Sequence, residues 1–294
     1  MRHGFGDDAP VDGYELIDAG GGARLERFGT HVTDRPHGGA YDERRAPERW
    51  ADADLRFDRD AGWSGRALAE ANGGWQATIG GSDLLLRPTD AGQVGAFPEH
   101  ATMLPCLRER VELRRATAPD GAPPLRILHL FAYTGLVTLA VAAAGAAVAH
   151  VDAARPAVAW ARRNAAVNGL EDAPIRWLVD DARDFVARER RRGSRYDGIV
   201  LDPPSYGHGV SGRSWRLDSD LDPLLADCRA VLSPDGFLLV TAHTEHLGED
   251  QLAGRLGLAL RRGAADIETG DLRIGATSGA SLALGVFARW DGAR

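Results

Sequence analysis

From about residue 125 onward, short apolar runs alternate with longer amphipathic segments. The runs at 126–131, 147–152, 175–180, 196–202 and 236–243 are too short and too uniformly apolar for surface helices, and they predict strands buried in a parallel sheet. Between them, 134–145, 155–168, 182–192, 220–232 and 251–262 predict helices, with Asn168-Gly169 and Ser233-Pro234-Asp235-Gly236 as stops. Two more strands, 267–274 and 282–289, are separated only by a short glycine-rich turn. They must pair antiparallel, because parallel neighbours need a crossover of roughly a dozen residues. The pattern predicts an α/β fold, a Rossmann-like sheet closed by a C-terminal antiparallel hairpin. An ordinary dinucleotide-binding sheet would end on a parallel strand instead.

The first hundred residues have a different rhythm. Alternation at 14–18, 24–28, 75–79 and 83–87 predicts strands, and Gly80-Gly81-Ser82 favours a hairpin between the last two. Residues 34–60 are polar and marked by proline, and no element is predicted there. A helix is expected to start at 95–100, with Pro98 near its first position, and to run to about Ala118, before the Pro- and Gly-rich 119–124. The expected division is a small β-rich domain over 1–94 and the α/β domain over 95–294.

Composition narrows the class only slightly. The chain has 294 residues, 44% of them apolar, enough for one large core and an appendage. Its net charge of −7 lies in the first hundred residues, where 11 arginines face 18 acids, and every basic residue is arginine. Global charge therefore gives no argument for nucleic acid, and any such contact must come from local clusters. Two clusters exist, Arg188 with Arg190–Arg192 and Arg195, and Arg108 with Arg110, Arg114 and Arg115. They read either as phosphate contacts or as solvated helix faces, and the second reading needs no ligand. Cys106 and Cys228 fit no disulfide or metal pattern, so no metal site is expected and both read as small core residues. The chain opens without a basic start and apolar block, and the weakly polar 136–149 is too short to cross a bilayer, which reads as a cytoplasmic protein with no membrane partner.

Candidate chemistry gathers at the predicted strand ends. Phe131-Ala132-Tyr133-Thr134-Gly135 joins the first strand of the sheet to its helix, and Gly135 allows backbone to approach a ligand closely. Asp152 ends the next strand 17 residues later, near the spacing of about 20 at which an acid accepts ribose hydroxyls in such folds. Asp180-Asp181 ends the third strand; one of the two acids caps the following helix in the plainest reading, Asp180 as readily as not, and Asp181 is the better candidate to accept from an adenine amino group. Asp202-Pro203-Pro204-Ser205-Tyr206 is the most specific element, because two prolines forbid further ladder pairing and turn the strand end toward a cleft.

These segments, with Gly95-Ala96-Phe97-Pro98-Glu99, Trp160-Ala161-Arg162-Arg163-Asn164, Asn168-Gly169-Leu170 and Asp181-Ala182-x-x-Phe185, resemble the Asp-Pro-Pro methyltransferases of ribosomal RNA bases, a branch of the class I enzymes that use S-adenosylmethionine. The resemblance covers roughly 92–290. It implies that Tyr133 and Gly135 line the methionine end of the cofactor, with Phe131 and Thr134 also binding cofactor, Asp152 its ribose, Asp181 its adenine, and Asp202 with Pro203 the transferred methyl, with Phe97 and Glu99 beside that pocket. Tyr206 would stack an extruded base; the alternative is a tyrosine packed under its loop. Two departures matter. Members that methylate carbon 5 of cytosine carry a cysteine just after the fifth strand, and here that stretch reads Val240-Thr241-Ala242-His243-Thr244. No RNA-binding module is recognisable in the acidic N-terminal segment. The expectation is an S-adenosylmethionine-dependent methyltransferase acting on an RNA base nitrogen, with the N-terminal domain over the cleft. The rivals are a small-molecule methyltransferase and a non-catalytic adenosyl-cofactor or RNA-binding protein. His208, His243 and His246 are possible proton acceptors, with no reason to prefer one.

Overall fold

The computed structural model describes residues 11–119, 121–208, 213–244 and 246–292. Two compact units make up the chain. Of the described residues, one unit comprises 11–103 together with 272–284, and the other comprises 104–271 and 285–292.

The N-terminal unit is built on a five-stranded sheet of β1 (Tyr14–Gly20), β2 (Ala23–Phe28), β3 (His31–Pro36), β4 (Leu55–Asp58) and β5 (Gly62–Ser64), in that order. A short helix α1 (Leu68–Ala71) leads to the separate hairpin of β6 (Trp75–Ile79) and β7 (Ser82–Leu86). The segment read as featureless thus holds β4, the second half of β3 and a 3-10 turn over Pro47–Asp52. What organises it is a buried acid that no periodicity announces. Asp18 accepts hydrogen bonds from the indole of Trp50, the backbone of Arg45 and Ala46, and the hydroxyl of Ser278, so the polar loop folds around one carboxylate. A second buried acid, Glu26, accepts from Tyr14 and both Nε and Nη2 of Arg35. The expected helix after Gly95 is divided into a 3-10 turn over Pro98–Met103 and then α2 (Leu104–Thr117).

In the larger unit, α2 is followed by β8 (Arg126–Leu130), α3 (Leu136–Ala143), β9 (Ala147–Asp152), α4 (Arg155–Val167), β10 (Ile175–Val179), α5 (Ala182–Arg191) and β11 (Tyr196–Leu201). A two-stranded ribbon of β12 (Tyr206–His208) and β13 (Ser214–Arg216) precedes α6 (Leu217–Val231), β14 (Leu232–Ala242), α7 (Glu249–Leu260), β15 (Glu268–Gly275) and β16 (Ser281–Asp291), of which the stretch 272–284 is counted with the N-terminal unit. The sheet order is β10-β9-β8-β11-β14-β16-β15. Its first five strands are parallel and β16 runs antiparallel to β14. Alternate strand residues Leu128, Leu130, Ile199, Leu201, Leu238 and Val240 pack with α5, α6 and α7. The chain moves outward from β8 through β9 to β10, then returns to β11 on the other side of β8. That reversal opens a crevice at the carboxyl ends of β8 and β11, where such sheets receive ligands.

Candidate functional site

The loop after β8 is the most constrained backbone of the crevice. Phe131 and Tyr133 have φ of 55° and 47°, and Gly135 has 93°. Non-glycine residues pay roughly 1–2 kcal/mol each for this region, so the conformation must be held from outside. Ala132 N donates to Val151 O and Asn164 Nδ2 to Thr134 O, while Tyr133 N donates to Asp152 Oδ2 at 2.8 Å. Gly135 is required twice over, since a β-carbon there would also come within 3.2 Å of the Ala161 β-carbon on α4. As the N-cap of α3, Gly135 supplies no side-chain cap, which leaves the first amides of that helix for a ligand.

Asp152 closes β9. Its Oδ1 accepts from Ala154 N, also at 2.8 Å, and burial pushes its carboxyl above the ordinary range, partly offset by these two amides. At the end of β10 the helix cap falls on the second of the two acids. Asp181 caps α5 through Arg183 N and holds the Arg183 guanidinium on both oxygens, whereas Asp180 pairs with Arg188. Burial opposes ionisation of Asp181, but the hydrogen bonds from Arg183 win and hold its carboxyl below the usual value. A cap with Oδ1 on an amide is available at the second position because its backbone is extended, φ −73° and ψ 127°.

At the end of β11, Asp202 Oδ1 receives the hydroxyl of Thr241 and lies 2.9 Å from His243 Nε2. Both partners come from the end of β14, the neighbouring strand. A β-carbon on Gly285 would fall 2.8 Å from His243 Nδ1, so the ring is held with one nitrogen on Asp202 and the other against β16. Of the histidines left undistinguished by sequence, His243 is built into the site. His246 is exposed, and the side chain of His208 lies outside the described residues. Pro203 is buried and Pro204 exposed, and Tyr206 is 57% exposed, so it is not packed under its loop.

Sequence reasoning missed Trp215. From β13 its indole donates to Pro204 O at 2.6 Å, its ring meets Phe131 at 4.9 Å between centroids, and Arg183 lies over its face. It ties the Asp-Pro-Pro turn to the loop after β8, and the signal was only a lone aromatic between arginines. Cys228 is fully buried, and burial pushes its thiol far up. Cys106 corrects the expectation of a core residue: it is only half-buried and touches Arg289. Phe97 and Glu99 belong to the N-terminal unit, where Phe97 meets His100 at 5.8 Å and Glu99 is buried.

An α/β sheet with a strand-end acid on β9, an uncapped helix behind a glycine turn and an Asp-Pro-Pro turn on β11 gathers its polar groups at the carboxyl edge where open sheets of this class receive ligands. The family model for S-adenosylmethionine-dependent methyltransferases matches residues 106–259, and the chain belongs to that family. The crystal structure of an S-adenosylmethionine-dependent methyltransferase from Agrobacterium tumefaciens is 35% identical with a TM-score of 0.87, covering 97% of this chain and 92% of that one. A putative methyltransferase crystallised with S-adenosylhomocysteine shares the fold at 18% identity, with a TM-score of 0.73 over 96% of this chain and 76% of its own. Ribosomal RNA large subunit methyltransferase K/L of Methylococcus capsulatus is 30% identical over 62% of this chain and 23% of its own length. Ribosomal RNA large subunit methyltransferase I of Shewanella denitrificans is 34% identical over 42% of this chain and 32% of its own length. The chain thus spans less than a third of these curated relatives.

Proposed function

We propose that the protein transfers a methyl group from S-adenosylmethionine to a nitrogen of an RNA base, with ribosomal RNA as the substrate class. The observation that carries this reading is the Asp202 carboxylate, fixed on Oδ1 by Thr241 and His243 at the carboxyl end of β11, next to the loop 131–135. When bound, the cofactor supplies a methyl on a cationic sulfur, open to in-line displacement by a lone pair. Tyr133, Thr134 and Gly135 hold its methionine end, Asp152 accepts its ribose hydroxyls and Asp181 its adenine amine. Phe131 shapes the loop, and Phe97 and Glu99 enter this assignment through the motif Gly95–Glu99 alone. Asp202, an acceptor, takes an N–H of the target amine and turns its lone pair toward the methyl, with the Pro203 carbonyl as a second acceptor. Orientation of this kind supplies on the order of 7–11 kcal/mol in well-aligned reactions, so little further catalysis is needed. Tyr206, exposed on β12, offers a face on which an extruded base stacks.

Nitrogen rather than carbon is favoured because no thiol is placed for covalent attack: Cys228 is buried in α6, Cys106 lies in α2, and β14 ends in Thr241 and Ala242 with His243 directly after it. The RNA class is supported by the names of the curated relatives. One observation favours a small-molecule substrate instead. Arg188, Arg190 and Arg192, the densest basic cluster, are paired with Asp180, Asp227 and Glu189. Incubation with tritiated S-adenosylmethionine and a whole-cell extract, fractionated into RNA, protein and small molecules, decides between them. Nuclease-sensitive label that digests to an N-methylated base is expected; label confined to small molecules refutes the RNA reading.

A further inference from the structure

Beneath the loop 131–135 runs a buried chain of polar groups for which the assigned chemistry has no use. His129 on β8 and His150 on β9 are paired in register on adjacent parallel strands. Thr138, in the first turn of α3, places its hydroxyl between them, 2.8 Å from Nδ1 of His129 and 2.9 Å from Nδ1 of His150. All three side chains are buried, Thr138 and His150 completely. Buried polar groups are costly unless their partners are there for a reason.

The chemistry of a hydroxyl fixes more than the contacts do. It has one proton, so Thr138 donates to one imidazole and accepts from the other, and two neutral rings must then hold opposite tautomers. The edge of the His150 ring faces the turn: a β-carbon on Gly135 would lie 3.6 Å from its Cε1. The strained turn is thereby approached from two sides, by Asp152 and Asn164 at its rim and by the His150 ring from below.

We propose that the His129–Thr138–His150 chain is a positioning device for the cofactor: it fixes the His150 ring beneath Gly135 and keeps the Tyr133–Gly135 turn in its cofactor-binding conformation. The proposal rests on the assignment of 131–135 as the cofactor loop. None of the three side chains touches cofactor or substrate in this scheme, so they are positioning residues and the effect is on affinity.

The test pairs Thr138→Val, which keeps the shape and removes both hydrogen bonds, with Thr138→Ser, which restores the hydroxyl. Binding of S-adenosylhomocysteine is measured by titration calorimetry beside the thermal midpoint, and histidine tautomers are read by long-range nitrogen-15 NMR on the unmodified protein. The valine variant is expected to bind at least about tenfold more weakly, a loss of one hydrogen bond's worth, and the serine variant to recover most of it. NMR is expected to show one Nδ1–H and one Nε2–H ring among the buried pair at neutral pH. Unchanged affinity in Thr138→Val, even with a lowered midpoint, overturns the proposal, as does a matching tautomer in both rings; the second result needs no variant to fold. Absence of binding by the unmodified protein would instead overturn the cofactor-loop assignment, and this proposal with it.

Discussion

Replacing Asp152 by asparagine is the sharpest probe of the cofactor pocket, because the two side chains have the same shape and the structure says which bonds cannot survive. The carboxylate accepts Tyr133 N on Oδ2 and Ala154 N on Oδ1, both at 2.8 Å. An amide has one oxygen, so in either orientation one of these backbone N–H groups meets an NH2. Losing a hydrogen bond to a charged acceptor costs about 1.5–3 kcal/mol. Burial already pushes the Asp152 carboxyl upward, so a neutral side chain regains part of the desolvation cost and the lower half of that range applies. If Tyr133, held at a φ of 47°, relaxes in the free variant, ligand binding must restore it, and the loss appears in affinity. The expectation for Asp152→Asn is binding of S-adenosylhomocysteine weakened roughly 10–30-fold, and for Asp152→Ala, which also removes the ribose acceptor, a loss of about 100-fold or more. Titration calorimetry on the three proteins, with thermal midpoints as a control for folding, measures this directly. Affinity in Asp152→Asn equal to that of the unmodified protein would show that neither the loop nor the ribose depends on this carboxylate.

Asp202→Ala should lower the single-turnover rate on the labelled RNA fraction far more than it weakens cofactor binding, since orientation of the acceptor is expressed in the transition state; equal chemistry in the variant would remove Asp202 from the reaction centre. The double replacement Cys106→Ala, Cys228→Ala should retain turnover while losing some thermal stability, because one thiol is core and the other touches Arg289. A covalent adduct with fluorinated cytosine RNA would contradict the nitrogen assignment. Stability should fall on acidification below about pH 6.5: burial lowers His150 to about 3, so between those values the unfolded chain binds a proton that the folded one does not, and the slope reaches at most about 1.4 kcal/mol per pH unit for this group. The titratable groups on that side are His129, reached through Thr138, and Asp152 two residues along. Urea titrations from pH 7 to 4 should show a shallower slope in His150→Gln, and parallel slopes would refute the assignment.

The strand and helix order of the larger unit was legible because its elements are long and regularly patterned. Both 147–152 and 155–168 were read within a residue of their observed ends, since helix stops and buried strands depend on local sequence. The strand-end position of Asp152, the turn at Gly135 and the Asp-Pro-Pro turn were legible for the same reason. Other features depended on groups far apart in the chain. β3 and β4 arise in a stretch with little apolar signal because Asp18 gathers Trp50, Arg45, Ala46 and Ser278 around itself. The choice of Asp181 over Asp180 as cap turned on backbone angles, and the place of His243 in the site on the spacing between β11 and β14 and on the room that Gly285 leaves. Local pattern determines which segments are strands, helices and turns, because hydrophobic period and turn chemistry act over a few residues. Hydrogen-bond partners of a buried acid or imidazole are set by distances between strands brought together from anywhere in the chain, and only the tertiary structure decides them.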